Sequence, residues 1–122
     1  MDITYREDIK PFDIEHILPL VQSSGFFSPE EISIAIELVE ERLSKGTQSG
    51  YFFLLAESAG NIIGYTCFGP IPGTMYSYDI YWIVVHNNFR RMGIGKELMS
   101  RTESLIGTQG GRLIYLDTSS QD

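Results

Sequence analysis

Val85-His86-Asn87-Asn88-Phe89-Arg90-Arg91-Met92-Gly93-Ile94-Gly95-Lys96 carries an apolar strand into a basic, glycine-bearing turn that opens a helix. Backbone N–H groups at such a turn point outward together, and the helix dipole adds partial positive charge at the same place. That geometry suits an anion, and a pyrophosphate fits it best. Glycine at 93 and 95 lets a phosphate approach the backbone where no Cβ intervenes. Arg90, Arg91 and Lys96 supply mobile positive charge around the same ligand.

Two better-known nucleotide loops are excluded by the letters. A dinucleotide fingerprint requires a third glycine where Leu98 stands. A P-loop requires glycine in place of Arg90 and a hydroxyl residue in place of Glu97.

Outward from this loop, 122 residues with 43% apolar content make one domain, residues 1–122, with a single hydrophobic core. No apolar run approaches the roughly 18 residues that cross a bilayer, and the first residues lack the basic and apolar regions of a signal peptide. A cytoplasmic location without membrane contact is therefore expected. Cys67 is the sole cysteine and His16 and His86 the sole histidines, so no metal is expected. A formal charge of −7 repels polyanions and argues against nucleic acid as a partner.

Ile3 and Tyr5 alternate with polar neighbours and predict a short first strand. Asp13 is placed to cap a helix through Ile14, Ile17, Leu18 and Val21, kinked at Pro19 and closed by Gly25. Ser28-Pro29-Glu30-Glu31 reads as the start of a second helix, with a capping serine, proline at the first position and glutamate at the third. That helix is expected to reach Lys45, with Gly46 as a left-handed stop and with Ile32, Ala35, Ile36, Val39 and Leu43 buried on one face. Ile34 and Leu38 fall near the opposite face, either as scattered surface apolars or as a contact for another surface. Residues 51–57 and 61–69 predict a hairpin across Ser58-Ala59-Gly60. Further strands are expected over 78–85 and 112–117, with the helix after the loop covering 93–106 between them. Strict alternation would place Asp79, Tyr81, Ile83 and Val85 on one face and Tyr78, Ile80, Trp82 and Val84 on the other.

The Arg-x-x-Gly-x-Gly element formed by Arg90, Gly93 and Gly95, after the strand Tyr81-Trp82-Ile83-Val84-Val85, resembles the acetyl-coenzyme A loop of the GNAT family of N-acetyltransferases. The order of elements resembles that family along nearly the whole chain. This resemblance implies an α+β fold, a three-layer α-β-α sandwich whose mostly antiparallel sheet contains one parallel, splayed strand pair. It implies acetyl-coenzyme A as co-substrate, its pantetheine arm along the backbone of Ile83, Val84 and Val85. The pyrophosphate is then expected on Arg90, Arg91, Met92, Gly93, Ile94, Gly95 and Lys96, and polar contacts from Thr118 and Ser119.

Family members with a carboxylate base often carry it six residues before the last apolar position of this strand, which here is Asp79. A carboxylate can accept the proton an amine must lose before it attacks. Aspartate is one methylene shorter than glutamate, so a water relay is expected; the alternative is a strand-start aspartate capping the preceding loop. Cys67 is read as a small buried residue, Tyr81 as packing and His86 as shaping the turn.

The implied activity is acetyl transfer to a primary amine by direct attack in a ternary complex, with a small molecule or peptide as acceptor. Residues 69–77 and the second helix are where selectivity is expected. The competing reading is a coenzyme A-binding regulatory or sensing module without catalysis. The family continues past a strand like 112–117 with a helix and two more strands, the helix commonly bearing a tyrosine general acid. Those parts have no match here, so an incomplete domain or a homodimer is expected from the apolar run Leu113-Ile114-Tyr115-Leu116.

Overall fold

The structure, a computed structural model, describes residues 2–25 and 27–116. Five strands, β1 (Thr4–Arg6), β2 (Phe52–Ser58), β3 (Asn61–Pro70), β4 (Ser77–Val85) and β5 (Leu113–Leu116), lie in one sheet in that order. Successive pairs are antiparallel except β4 and β5, which run parallel. Parallel neighbours need a crossover, and helix α3 (Ile94–Thr108) supplies it. Helices α1 (Ile14–Ser24) and α2 (Pro29–Lys45) precede the hairpin of β2 and β3.

The layers follow from which side chains are apolar. Ile17, Leu20 and Val21 of α1 and Ala35 and Val39 of α2 pack on Phe53, Leu55, Tyr65, Cys67 and Val84. On the other face, Ile94 and Leu98 of α3 meet Leu54, Ala56, Ile63 and Val85. Ile106 of the same helix packs on Phe68, Tyr78 and Ile80. The result is the expected three-layer α-β-α arrangement. Helix α3 comes close to the sheet because β3 carries Gly64 beneath it: a Cβ there would stand 2.9 Å from the Val84 carbonyl oxygen and 3.2 Å from Leu98 Cδ1. A buried hydrogen bond between the Thr66 and Thr102 hydroxyls, 2.8 Å, joins the same two elements.

The start of α2 matches its sequence signature. Ser28 Oγ accepts the Glu31 N–H at 3.2 Å, and Glu31 Oε1 accepts the Ser28 N–H at 2.8 Å. Ala35 and Val39 are buried, while Ile32, Ile36, Leu43 and also Leu38 pack half-buried on the core; Ile34 is exposed. Two local expectations are corrected. Gly46 has φ +62 but ψ −141, outside the left-handed helical region; the chain continues as a 3-10 turn, Gly46–Ser49, and Gly50 takes the left-handed conformation instead. Asp13 does not cap α1 through its side chain. Its buried carboxylate accepts the Lys10 N–H at 2.7 Å and pairs with Arg6 at 2.8 Å. Arg6 also holds Glu57 at 3.1 Å, so a charged partner from β1 outcompetes the local capping bond.

Candidate functional site

Strand β4 leaves the sheet through a turn held at several points. The His86 N–H donates to the Ile63 carbonyl at 2.7 Å. Its Nδ1 accepts the Asn88 N–H at 3.1 Å, and its ring meets Phe89 edge to face at 5.7 Å. Asn87 Nδ2 donates to the Ser23 carbonyl at 2.9 Å and ties the turn to α1. His86 therefore shapes the turn, as expected from sequence.

Beyond the turn, Arg90 is extended, Arg91 has φ +65, and Gly93 has φ +80 and ψ 6. The first helical bond of α3 runs from the Glu97 N–H to the Gly93 carbonyl, 3.0 Å. The N–H groups of Ile94, Gly95 and Lys96 precede that bond and are the donors that a helix start leaves for a ligand. Ile94 is 2% exposed and pins the helix start to the core, whereas Arg91, Met92, Gly93 and Lys96 are exposed and Arg90 and Gly95 half-buried. A Cβ at Gly93 would meet nothing within 4 Å. The space over this residue is open, and its backbone dihedral is what demands glycine. Glu97, an acidic group close to this positive end, is paired with Arg101 at 2.7 Å.

The second component is an edge. Strand β5 pairs with residues 77–80 of β4, in register from Ser77 with Leu113 to Ile80 with Leu116. Residues 81–85 have no partner on that side among the described residues. Val84 and Val85 are 3% and 4% exposed and Ile83 is half-buried. Their side chains belong to the core, so a ligand lying along this edge would meet the backbone of Ile83, Val84 and Val85.

Strict alternation along β4 is corrected. In the pairing with β3, Cys67 is opposite Trp82 and Phe68 opposite Ile80, leaving Tyr81 as an extra residue, a β-bulge. One extra residue shifts the pleat by one position. Tyr78, Ile80, Ile83 and Val85 consequently face α3, while Tyr81, Trp82 and Val84 face α1 and α2. Asp79, between Tyr78 and Ile80, points to the α1 and α2 side and is half-buried. It thus shares a face with Tyr81, as expected, but not with Ile83 or Val85. Nothing within the sequence of β4 marks the bulge. Cys67 is fully buried, and burial pushes its thiol well above the usual range. Thr118 and Ser119 lie outside the described residues.

Among the described residues, no group of three or more His, Cys, Asp or Glu side chains could hold a metal, and no helix is long and apolar enough to cross a membrane. In this α-β-α domain strand β4, next to the edge strand β5, has no partner along half of one side among the described residues and runs from there into a glycine-bearing helix start. The acetyltransferase (GNAT) family model matches residues 17–122, and the chain belongs to that family. A GNAT-family protein from Desulfovibrio desulfuricans is 36% identical with a TM-score of 0.92, over 94% of this chain and 72% of that one. Two more distant structures share the fold. The PaiA N-acetyltransferase of Thermoplasma acidophilum, in complex with coenzyme A, is 20% identical with a TM-score of 0.72, over 90% of this chain and 75% of that one. A GNAT-family acetyltransferase of Brucella melitensis, in complex with acetyl-CoA, is 20% identical with a TM-score of 0.76, over 98% and 77%. No curated protein sequence matches.

Proposed function

We propose that this protein transfers an acetyl group from acetyl-coenzyme A to a primary amine, which attacks directly while both substrates are bound. The observation that carries this reading is continuity: the half of β4 without a β5 partner runs straight into the turn that presents the donors of Ile94, Gly95 and Lys96.

The residues fit the group. Donors at the start of α3 and the cations of Arg90, Arg91 and Lys96 can neutralise a pyrophosphate, and the open space at Gly93 admits it. The backbone edge at Ile83, Val84 and Val85 can hold a flexible amide-bearing arm by strand-like hydrogen bonds. Acetyl-coenzyme A held there would supply the electrophile: the carbon–nitrogen bond would form at its thioester carbon, the carbon–sulfur bond would then break, and the released sulfur would take a proton from water. Strand N–H groups beside the reacting carbonyl stabilise the charge that builds on its oxygen. Asp79 acts as catalytic base, accepting the proton of the attacking amine through a water that spans its short side chain. Most of the acceleration comes from holding the two substrates in reactive geometry.

Calorimetric titration with coenzyme A and acetyl-coenzyme A, followed by thiol-release assays with primary amines, tests the reading. Saturable binding and amine-dependent thiol release are expected. Binding without release by any amine would leave a coenzyme A-sensing module, and absence of binding would overturn both.

A further inference from the structure

The bulge at Tyr81 has a chemical consequence on the α1 and α2 side of β4. A regular strand would send Tyr81 and Trp82 to opposite faces, but both pack half-buried against the same cluster. Two aromatic side chains from elsewhere join them. Phe27, in the connection between α1 and α2, has its ring 5.7 Å from Trp82 at 58°. Tyr51, just before β2, has its ring 5.8 Å from Tyr81 at 65°. Trp82 donates its indole N–H to the buried Tyr65 hydroxyl at 2.8 Å, so its remaining recognition surface is its ring.

Polar groups stand at one end of this aromatic surface. Asp79 lies two residues before Tyr81 on the same face, a strand distance of about 7 Å. Its cross-strand partner is Gly69. A Cβ at Gly69 would overlap the Gly50 carbonyl oxygen and stand 3.7 Å from Tyr81 Cε2. The Gly50 backbone therefore packs directly on β3 at Gly69, the residue across the sheet from Asp79 and on the side toward which the Tyr81 ring leans. A carboxylate, a carbonyl and the electron-rich face of a tyrosine are the three groups that recognise an ammonium. The rings beyond them recognise a flat apolar body.

We infer that the acceptor is a primary amine carried on a short chain from an aromatic or flat apolar group, its nitrogen at Asp79 and the Gly50 carbonyl and its body against Tyr51, Tyr81, Trp82 and Phe27. This inference rests on the acetyltransferase reading above and names the substrate class of the same site. Of residues 69–77 and α2, where the sequence suggested selectivity, it keeps only Gly69, and it adds the loop before β2 and the bulged half of β4. A polyhydroxylated amine would find few hydrogen-bonding partners on these rings and would leave its own polar groups unpaired.

Trp82 is the only tryptophan of the chain, so binding can be read without turnover. With coenzyme A present, titration with 2-phenylethylamine or tryptamine is followed by Trp82 emission (for tryptamine, by calorimetry), and thiol release is measured against spermidine and kanamycin. Expected are saturable emission changes with the aryl amine and a kcat/KM at least about 10- to 100-fold above the polar amines. Tyr81→Ala and Tyr51→Ala should each raise the aryl-amine KM about tenfold with coenzyme A affinity unchanged, and Tyr81→Phe should restore it. Thermal melts separate these effects from unfolding, and the two alanine variants come from different elements. Equal or better kcat/KM with spermidine or kanamycin overturns the inference. So does an unchanged Trp82 signal while coenzyme A still binds, which leaves the coenzyme reading standing. Loss of coenzyme A binding in the unaltered protein would instead remove the acetyltransferase reading and this inference with it.

Discussion

Strand β4 is two structures in one. Residues 77–80 are hydrogen-bonded on both edges, by β3 and β5, and send Tyr78 and Ile80 into the α3 face. Residues 81–85 are paired to β3 alone among the described residues, begin with a bulge and end at the turn that opens α3. A strand half that is paired twice is committed to stability, whereas the half without a second partner among the described residues has backbone groups that the proposed ligand could use. The comparison teaches that one element can hold the fold and also line a candidate site when a single extra residue changes its phase between the two parts.

The sharpest way to break the comparison is to damage the first half. Ile80 is fully buried, so Ile80→Ala should cost about 2–5 kcal/mol in denaturant unfolding. Coenzyme A affinity of the molecules that remain folded should be unchanged; a specific loss of affinity would mean that the halves are not separable. Gly93→Val attacks the other half. Its Cβ would project into open space, so unfolding should register only the left-handed backbone strain, about 1–2 kcal/mol. Coenzyme A binding by calorimetry should weaken by about 30-fold or more, roughly 2 kcal/mol, because the phosphate can no longer approach the backbone.

Asp79 sharpens the division, since it stands in the doubly paired half yet faces the aromatic surface. Asp79→Asn keeps the shape and removes the proposed proton acceptor. Turnover should fall about 100-fold, roughly 2.7 kcal/mol of barrier, with coenzyme A affinity unchanged. Equal activity would make Asp79 a structural residue.

The smallest effect concerns Cys67, the cross-strand partner of Trp82. Its thiol is pushed up by burial, so between the ordinary thiol pKa near 8.5 and the higher folded value the unfolded chain releases a proton that the folded chain retains. Stability contributed by the neutral thiol is complete below about pH 8.5 and declines as the pH rises above it. Chemical unfolding at pH 8 and pH 10 should show this decline, and Cys67→Ala should reduce it. In the native protein the thiol should stay inert to thiol reagents until unfolding, so thiol-release assays read coenzyme A alone.

The local geometry of the candidate loop was legible because its signals are local. Gly93 and the basic residues around it are read within a window of about one helical turn, and the dihedrals of the loop answer to those letters. Asp79 could be nominated through the family resemblance, which fixes a place along the strand counted from Val85. Its neighbours could not be named. Tyr51 and Phe27 are separated from Tyr81 and Trp82 by dozens of residues, and no periodicity in either segment refers to the other.

What the sequence by itself determined is therefore the main elements and some of their ends: the reciprocal capping bonds of Ser28 and Glu31, the helix entry at Gly93, and a pattern of apolar residues sufficient for two packed faces. The capping bonds and the helix entry rest on interactions spanning four residues or fewer, which no distant partner displaces at these positions. Only the tertiary structure decided that Asp13 serves Arg6 rather than α1, that Tyr81 is the extra residue of β4, and that Gly69 must yield its side-chain space to Gly50. Each of these is a choice between partners distant in the chain, and such a choice is made by register and burial when the whole sheet closes, after local preference has already been satisfied.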